Sequence, residues 1–321
     1  MAAFRSRPGQ VADAAPPIEV TVIGGYLGAG KTTIVNHLLR TSGDRIAVLV
    51  NDFGDINIDA DLIESADGDT INLANGCICC SLVDGFASAL DQILTSPIRP
   101  ERLVIEASGV GDPKMIGAYG QVPGMVLDAV LTVVDAETVI ERSKDRYVGT
   151  TVLRQIVGAD LVVLNKIDLV SPEQKESVIA WLGDVAPSCS VVESENGRAP
   201  IDVLSGVTAA TTDQTSRPLR DENSHHHGAD VFDRWSTTTP VSLSKMDLER
   251  LLRKLPSSVL RLKGFVQLTG TDDSRPTLLN CVGVRWQLSP LNIDPSPPLG
   301  LSAVTRGDSD AAEWLQKHMS A

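Results

Sequence analysis

A doubly wound α/β fold with a mostly parallel sheet, followed by a small α+β C-terminal domain, is what this sequence predicts. Three observations predict it. Short continuous Val/Ile/Leu runs alternate with helical patterns through the first two-thirds of the chain, and strands apolar on both faces belong in a parallel sheet covered on both sides. The first run leads directly into a glycine-rich loop and then a helical pattern, as in a strand–loop–helix unit. After a polar stretch near residue 208 the pattern resumes as strands around one helix.

Taken in order, residues 1–17 lack apolar periodicity and are expected to be a disordered tail. Strands are expected at Ile18–Ile23, Arg45–Val50, Arg102–Glu106, Ala129–Val134, Ala159–Leu164 and Ser190–Glu193. Between them, Ile34, Leu38 and Leu39 recur at helical spacing, as do Leu82, Phe86, Leu90 and Leu94. The helix expected from Pro172 to Val185 opens with Ser171-Pro172-Glu173, an N-cap followed by proline at the first helical position. These elements make a domain over 18–207, whose ligand belongs beyond the carboxyl ends of the strands.

Residues 208–232, rich in Thr, Ser, Asp, Asn and Gly, read as a polar linker. Its His225-His226-His227 is either a weak transition-metal tract or incidental. The domain 233–321 is expected to contain a strand at Thr237–Leu243 and a Ser244-capped helix bearing Leu248, Leu251, Leu252 and Leu255. Strands at Val259–Leu268 and Leu278–Leu288 complete it.

Composition narrows the function. Hydrophobic content of 42% and charged content of 21% over 321 residues suit a folded globular protein. The net charge of −13 argues against broad binding to nucleic acid or anionic membrane, which needs basic patches. No apolar run approaches the roughly 18 residues of a membrane span. No apolar segment follows Arg5 and Arg7, so a secretory signal is not expected. Three of the five cysteines crowd into residues 77–80, away from Cys189 and Cys281. That layout suits no disulfide framework and points to a reducing, cytoplasmic compartment.

Three motifs carry chemistry. The first is Gly25-Tyr26-Leu27-Gly28-Ala29-Gly30-Lys31-Thr32-Thr33, the G-x-x-x-x-G-K-[ST] pattern between strand and helix. Its backbone N–H groups, at Gly25, Gly28, Ala29, Gly30 and Thr33 among others, would cradle phosphates at a helix N-terminus. Lys31 would reach the β- and γ-phosphates, and Thr32 would ligate Mg²⁺. The second is Asn165-Lys166-Ile167-Asp168, directly behind a buried strand. A carboxylate at Asp168 accepts two hydrogen bonds from the guanine edge. Adenine lacks that donor pair, so the expected nucleotide is GTP.

The third motif is Cys77-Ile78-Cys79-Cys80, just ahead of a helix. Three thiolates can converge on Zn²⁺, Cu⁺ or a similar ion, and a helix N-terminus favours the thiolate. A redox couple is the competing reading.

Together these segments resemble the CobW-like metallochaperone GTPases, relatives of the urease- and hydrogenase-accessory GTPases. The resemblance runs from about Ile18 to Leu288 and rests on the residues at 25–33, 76–80 and 165–168. It rests also on Asn51-Asp52-Phe53-Gly54-Asp55, on Glu106-Ala107-Ser108-Gly109-Val110-Gly111-Asp112-Pro113, and on Arg261-Leu262-Lys263-Gly264-Phe265. It implies that Glu106 orients the Mg²⁺ water shell and that Asn51–Asp55 is a nucleotide-sensitive switch. It further implies that Cys77, Cys79 and Cys80 hold the transported metal, with zinc expected and cobalt or iron as alternatives. Asp52 and Asp55 are candidates for positioning the attacking water.

The expected activity is slow, Mg²⁺-dependent GTP hydrolysis timing metal delivery to a client metalloprotein. A partner protein or the mate in a nucleotide-dependent homodimer would complete the site. Two other classes fit parts of the pattern. A P-loop small-molecule kinase conflicts with Asp168, and a zinc store or redox sensor leaves Lys31, Glu106 and Asp168 without purpose.

Overall fold

The computed structural model describes residues 16–51, 71–72, 82–119, 121–206, 232–240, 242–270, 275–290, 296–307 and 309–320. Among these, the strands β1 (Ile18–Gly24), β2 (Ile46–Asn51), β3 (Ile71–Asn72), β4 (Arg102–Ala107), β5 (Met125–Asp135), β6 (Leu161–Asn165) and β7 (Ser190–Glu193) form one sheet. Its order is β3-β2-β4-β1-β5-β6-β7, and every pair is parallel. The winding reverses beside β1, which places the ligand crevice at that strand's carboxyl end.

Helices cover both faces. Ile34, Val35 and Leu38 of α1 (Lys31–Thr41) pack with Ile23, Val104 and Leu131 on one face. Leu90 and Ile93 of α2 (Leu82–Leu94) pack with Val22, Leu103 and Ile105 on the other. Neighbours such as Val22 and Ile23 enter opposite cores because strand side chains alternate. This explains why these strands read as unbroken apolar runs. The short helices α3 (Pro113–Tyr119), α4 (Val139–Lys144) and α5 (Gly149–Val157) follow, then α6 (Pro172–Val185) and α7 (Ile201–Ser205). α6 begins with the expected Ser171 cap: the Gln174 backbone N–H donates to Ser171 Oγ, and the Ser171 N–H to Gln174 Oε1.

A second, antiparallel sheet has the order β13-β12-β10-β14-β8. Its strands are β8 (Phe232–Thr237), β10 (Val259–Val266), β12 (Thr277–Val282), β13 (Arg285–Pro290) and β14 (Gly300–Arg306). β9 (Leu243–Ser244) and β11 (Leu268–Thr269) form a small parallel pair. Helices α8 (Lys245–Leu252) and α9 (Ala311–Met319) supply Leu248, Leu252, Leu315 and Met319 to a core with Leu262, Leu279 and Leu301.

Here the structure corrects the expected elements. Thr237–Leu243 is not a strand: β8 ends where it was expected to begin, and β9 occupies only its last residue and Ser244. Leu278–Leu288 is a hairpin, with Gly283 at φ 54 turning between β12 and β13. A left-handed φ is what glycine supplies cheaply, so Val282-Gly283-Val284 was the turn signal inside an apolar run. Val259–Leu268 ends at Val266, with Leu268 in β11. β5 begins at Met125 rather than Ala129, because the buried Asp128 interrupts the run in sequence without ending the strand.

The two sheets meet through charge. Asp128 accepts from Arg261 Nη1 at 2.9 Å and from Arg102 Nη1 at 3.0 Å, with all three side chains buried. Arg102 also pairs with Glu19 at 2.7 Å, and Lys263 reaches the same carboxylate. Arg285 pairs with Asp160 at 2.8 Å, and Asn280 Nδ2 donates to the carbonyls of Leu127 and Asp128. Leu260, Val282, Val304 and Phe232 join the core built by β1 and α1. A register shift between Val259 and Arg261 re-aims β10 here, as bulges do. Glu19, Arg102, Asp128 and Asp160 all lie near the amino ends of the parallel strands. The antiparallel sheet thus braces that end and leaves the carboxyl ends to the ligand.

Candidate nucleotide-binding site

At the carboxyl end of β1 the chain makes the tight glycine loop that a phosphate cradle requires. Gly25 has φ 136, and a Cβ there would meet the Val133 carbonyl at 2.2 Å. Gly30 has φ 98 at the N-cap of α1, and its Cβ would meet Asn165 Nδ2 at 2.3 Å. Gly28 also has a left-handed φ, 78, but open space around it. The Ala29 N–H donates to the Tyr26 carbonyl and the Ile34 N–H to the Gly30 carbonyl, so the loop closes onto the helix. Lys31 is buried at its foot, with Thr33 exposed.

Thr32 Oγ1 donates to Glu106 Oε1 at 2.8 Å. Glu106 is 2% exposed at the end of β4, registered against Ile23 of β1 and Val50 of β2. A hydroxyl and a carboxylate held together below a phosphate loop are a donor set suited to Mg²⁺, a hard cation that prefers oxygen ligands and retained water.

On the other side of β1, the Asn165-Lys166-Ile167-Asp168 turn clasps the loop. Asn165 Nδ2 donates to the Ala29 carbonyl at 2.9 Å, and Asn165 Oδ1 accepts from the Gly197 N–H at 3.0 Å. Asn165 is therefore a brace between two loops. Lys166 has φ 63, and its Nζ bonds Asp135 Oδ2 at 2.8 Å. Asp168 is exposed and, among the described residues, held by a 3.4 Å bond from the Asn196 N–H, which leaves its carboxylate facing solvent for a base edge.

Two participants escaped the sequence reading. Asp135 ends β5 and fixes Lys166; nothing in its local pattern marked it. The Asn196-Gly197 turn touches both Asn165 and Asp168, and Gly197 lies so close that a Cβ would meet Thr33 Cγ2 at 2.5 Å. An Asn-Gly dipeptide after a strand is a turn signal that could have found it.

Asp52, Asp55, Cys77, Cys79, Cys80 and His225–His227 lie outside the described residues, and among the described residues no group of three or more His, Cys, Asp or Glu could hold a metal ion. Of the two described cysteines, Cys281 is buried and Cys189 partly buried, and neither is in a disulfide. Burial pushes both Cys189 and Cys281 up to about 12, so each stays protonated.

With this geometry established, similarity to known proteins becomes informative. The model of the CobW/HypB/UreG nucleotide-binding domain matches residues 19–193, and that of the cobalamin synthesis protein cobW C-terminal domain matches 232–310. The chain belongs to the CobW/HypB/UreG family. A Sinorhizobium sp. protein named zinc chaperone CobW is 31% identical over 310 residues, covering 84% of this chain and 86% of that one. The zinc chaperone YjiA of Escherichia coli K12 is 30% identical over 272 residues, 79% and 83% of the two chains. The crystal structure of Zn(II)-bound YjiA GTPase from E. coli aligns at TM-score 0.46 and 24% identity, over 94% of this chain and 99% of that one. The glycine loop, Thr32–Glu106 and Asn165–Asp168 of this CobW/HypB/UreG member all fall within the nucleotide-binding match. No helix among the described residues is long and apolar enough to cross a membrane.

Proposed function

We propose that this CobW/HypB/UreG member is a GTP-hydrolysing metallochaperone that carries zinc on Cys77, Cys79 and Cys80 and releases it to a client metalloprotein. The observation that carries the nucleotide half is the clasp of Asn165 on the Ala29 carbonyl, which brings the guanine-reading turn against the phosphate loop. Lys31 and the loop amides hold the phosphates. Thr32 and Glu106 would hold Mg²⁺ and its waters, supplying charge neutralisation at the β- and γ-oxygens. The metal half is supported by the chemistry of three adjacent thiols and by relatives named zinc chaperones. The zinc is cargo, and hydrolysis loosens the loops that the γ-phosphate held. The division into 18–207 and 233–321 assigns both halves of the chemistry to the first domain, and the cysteine-rich segment suits a cytoplasmic setting.

Zinc affinity measured by competition with a chromophoric chelator, in GDP and in a non-hydrolysable GTP analogue, tests the whole reading. The expected result is an affinity that differs between nucleotides by about tenfold or more, the equivalent of ~1.4 kcal/mol of coupling. Zinc binding should weaken as pH falls, because the thiols must lose protons. A triple Cys77/Cys79/Cys80→Ser chain with native affinity would place the cargo elsewhere. Equal affinity with both nucleotides would remove the coupling.

A further inference from the structure

α5 sends one polar side chain into the interior, Gln155, which is 2% exposed. Its backbone carbonyl accepts from Thr132 Oγ1 at 2.8 Å, fixing the helix to β5. Its amide Nε2 donates to the Gly111 carbonyl at 2.8 Å and the Gly109 carbonyl at 3.2 Å. Both partners are acceptors, so only the amino end of the amide can face them. Burying an amide is costly unless it is bonded, and a leucine would fill the space without that cost. The side chain is thus committed to these two carbonyls.

The loop it grips, residues 108–112, begins two residues after Glu106, just past the end of β4. It is closed by the Gly111 N–H donating to the Ser108 carbonyl, and Asp112 Oδ1 accepts from the Lys114 and Met115 N–H groups at the start of α3. Gly109 is pressed against the phosphate loop: a Cβ there would lie 2.9 Å from the Leu27 backbone N and 2.5 Å from Leu27 Cδ2. Beyond Leu27, Arg142 of α4 donates to the Leu27 carbonyl while its guanidinium sits 5.1 Å over the Tyr26 ring. The helix pair after β5 therefore holds both loops that flank Thr32 and Glu106.

We propose that Gln155 is a positioning residue that presets loop 108–112 for the γ-phosphate, with Arg142 steadying the opposing phosphate loop. This rests on the guanine-nucleotide reading above. Gln155 touches no phosphate itself. It acts through the two carbonyls, and its effect is specific to the nucleotide that carries a third phosphate.

The test compares native protein with Gln155→Leu in titrations with GDP and with a non-hydrolysable GTP analogue. The analogue should bind about tenfold more weakly to the variant, the scale of one to two lost hydrogen bonds, with GDP affinity changed less than about threefold. Parallel loss of both nucleotides would reduce Gln155 to a scaffold role and overturn the proposal, as would no loss of either. Should Gln155→Leu not fold, amide hydrogen exchange in the native protein decides. Residues 108–112 should exchange more slowly with the GTP analogue than with GDP, and equal exchange overturns the proposal. A native protein that binds neither nucleotide overturns the underlying reading, and the inference with it.

Discussion

At the scale of single residues, the site divides its labour between groups that read and groups that brace. Asp168 reads: its carboxylate is exposed and, among the described residues, tied by the long bond from Asn196. Asp168→Asn replaces one acceptor with an amide donor. It should cost GTP about tenfold or more in affinity and shift preference toward xanthosine nucleotides, whose C2 carbonyl can accept that donor. Competitive titration with GTP, xanthosine triphosphate and ATP checks this, and an unchanged preference would remove Asp168 from base recognition. Asn165 braces, with both ends of its amide spent on Ala29 and Gly197. Such roles were only half legible. Lys31, Thr32 and Asp168 stand in short patterns whose chemistry fixes the spacing, so the chain announced them. Asp135 and Gln155 act across long sequence separations through one side chain each, on elements that read as ordinary strand and helix. Nothing local distinguishes them until the fold closes.

At the scale of elements, legibility followed the source of each element's stability. The parallel strands are apolar on both faces and stood out; α6 stood out because its cap is written in sequence. Ser171→Ala removes the acceptor for the Gln174 N–H and should lower unfolding free energy by about 1 kcal/mol, measured by urea denaturation, with GTP affinity unchanged. A variant as stable as the native chain would show the capping box to be redundant. The antiparallel strands were less legible because they carry the interface charges. Arg261 and Lys263 break the apolar pattern of β10, and Gly283 turns a run that looked like one strand into two. α9 and β14 went unread, since the polar residues around them masked a modest apolar periodicity. The buried Asp128 truncated the reading of β5 in the same way.

At the scale of the whole molecule, that aspartate is the joint. Burial alone would push its carboxyl up, but Arg261, Lys263 and Arg102 outweigh it and hold Asp128 well below the usual carboxylate range. The sign follows directly. A carboxylate depressed in the folded state stabilises above its unfolded value of about 3.9, and that contribution is lost as pH falls through the folded value. Stability should therefore fall below about pH 4 with a slope that Asp128→Asn removes. At pH 7 the same change should cost about 3–5 kcal/mol, because it strands buried guanidinium groups. Urea unfolding of both proteins between pH 3 and 7 measures both effects; a variant retaining the native slope would place the acid sensitivity elsewhere. The arrangement also bears on inheritance. A descendant acquiring its final third by recombination would receive a working molecule only from a donor that brought cations to the places of Arg261 and Arg285, along with apolar residues at Leu260, Val282 and Val304. The two portions are matched to each other face to face, so the second can be exchanged only for a sheet that keeps those residues.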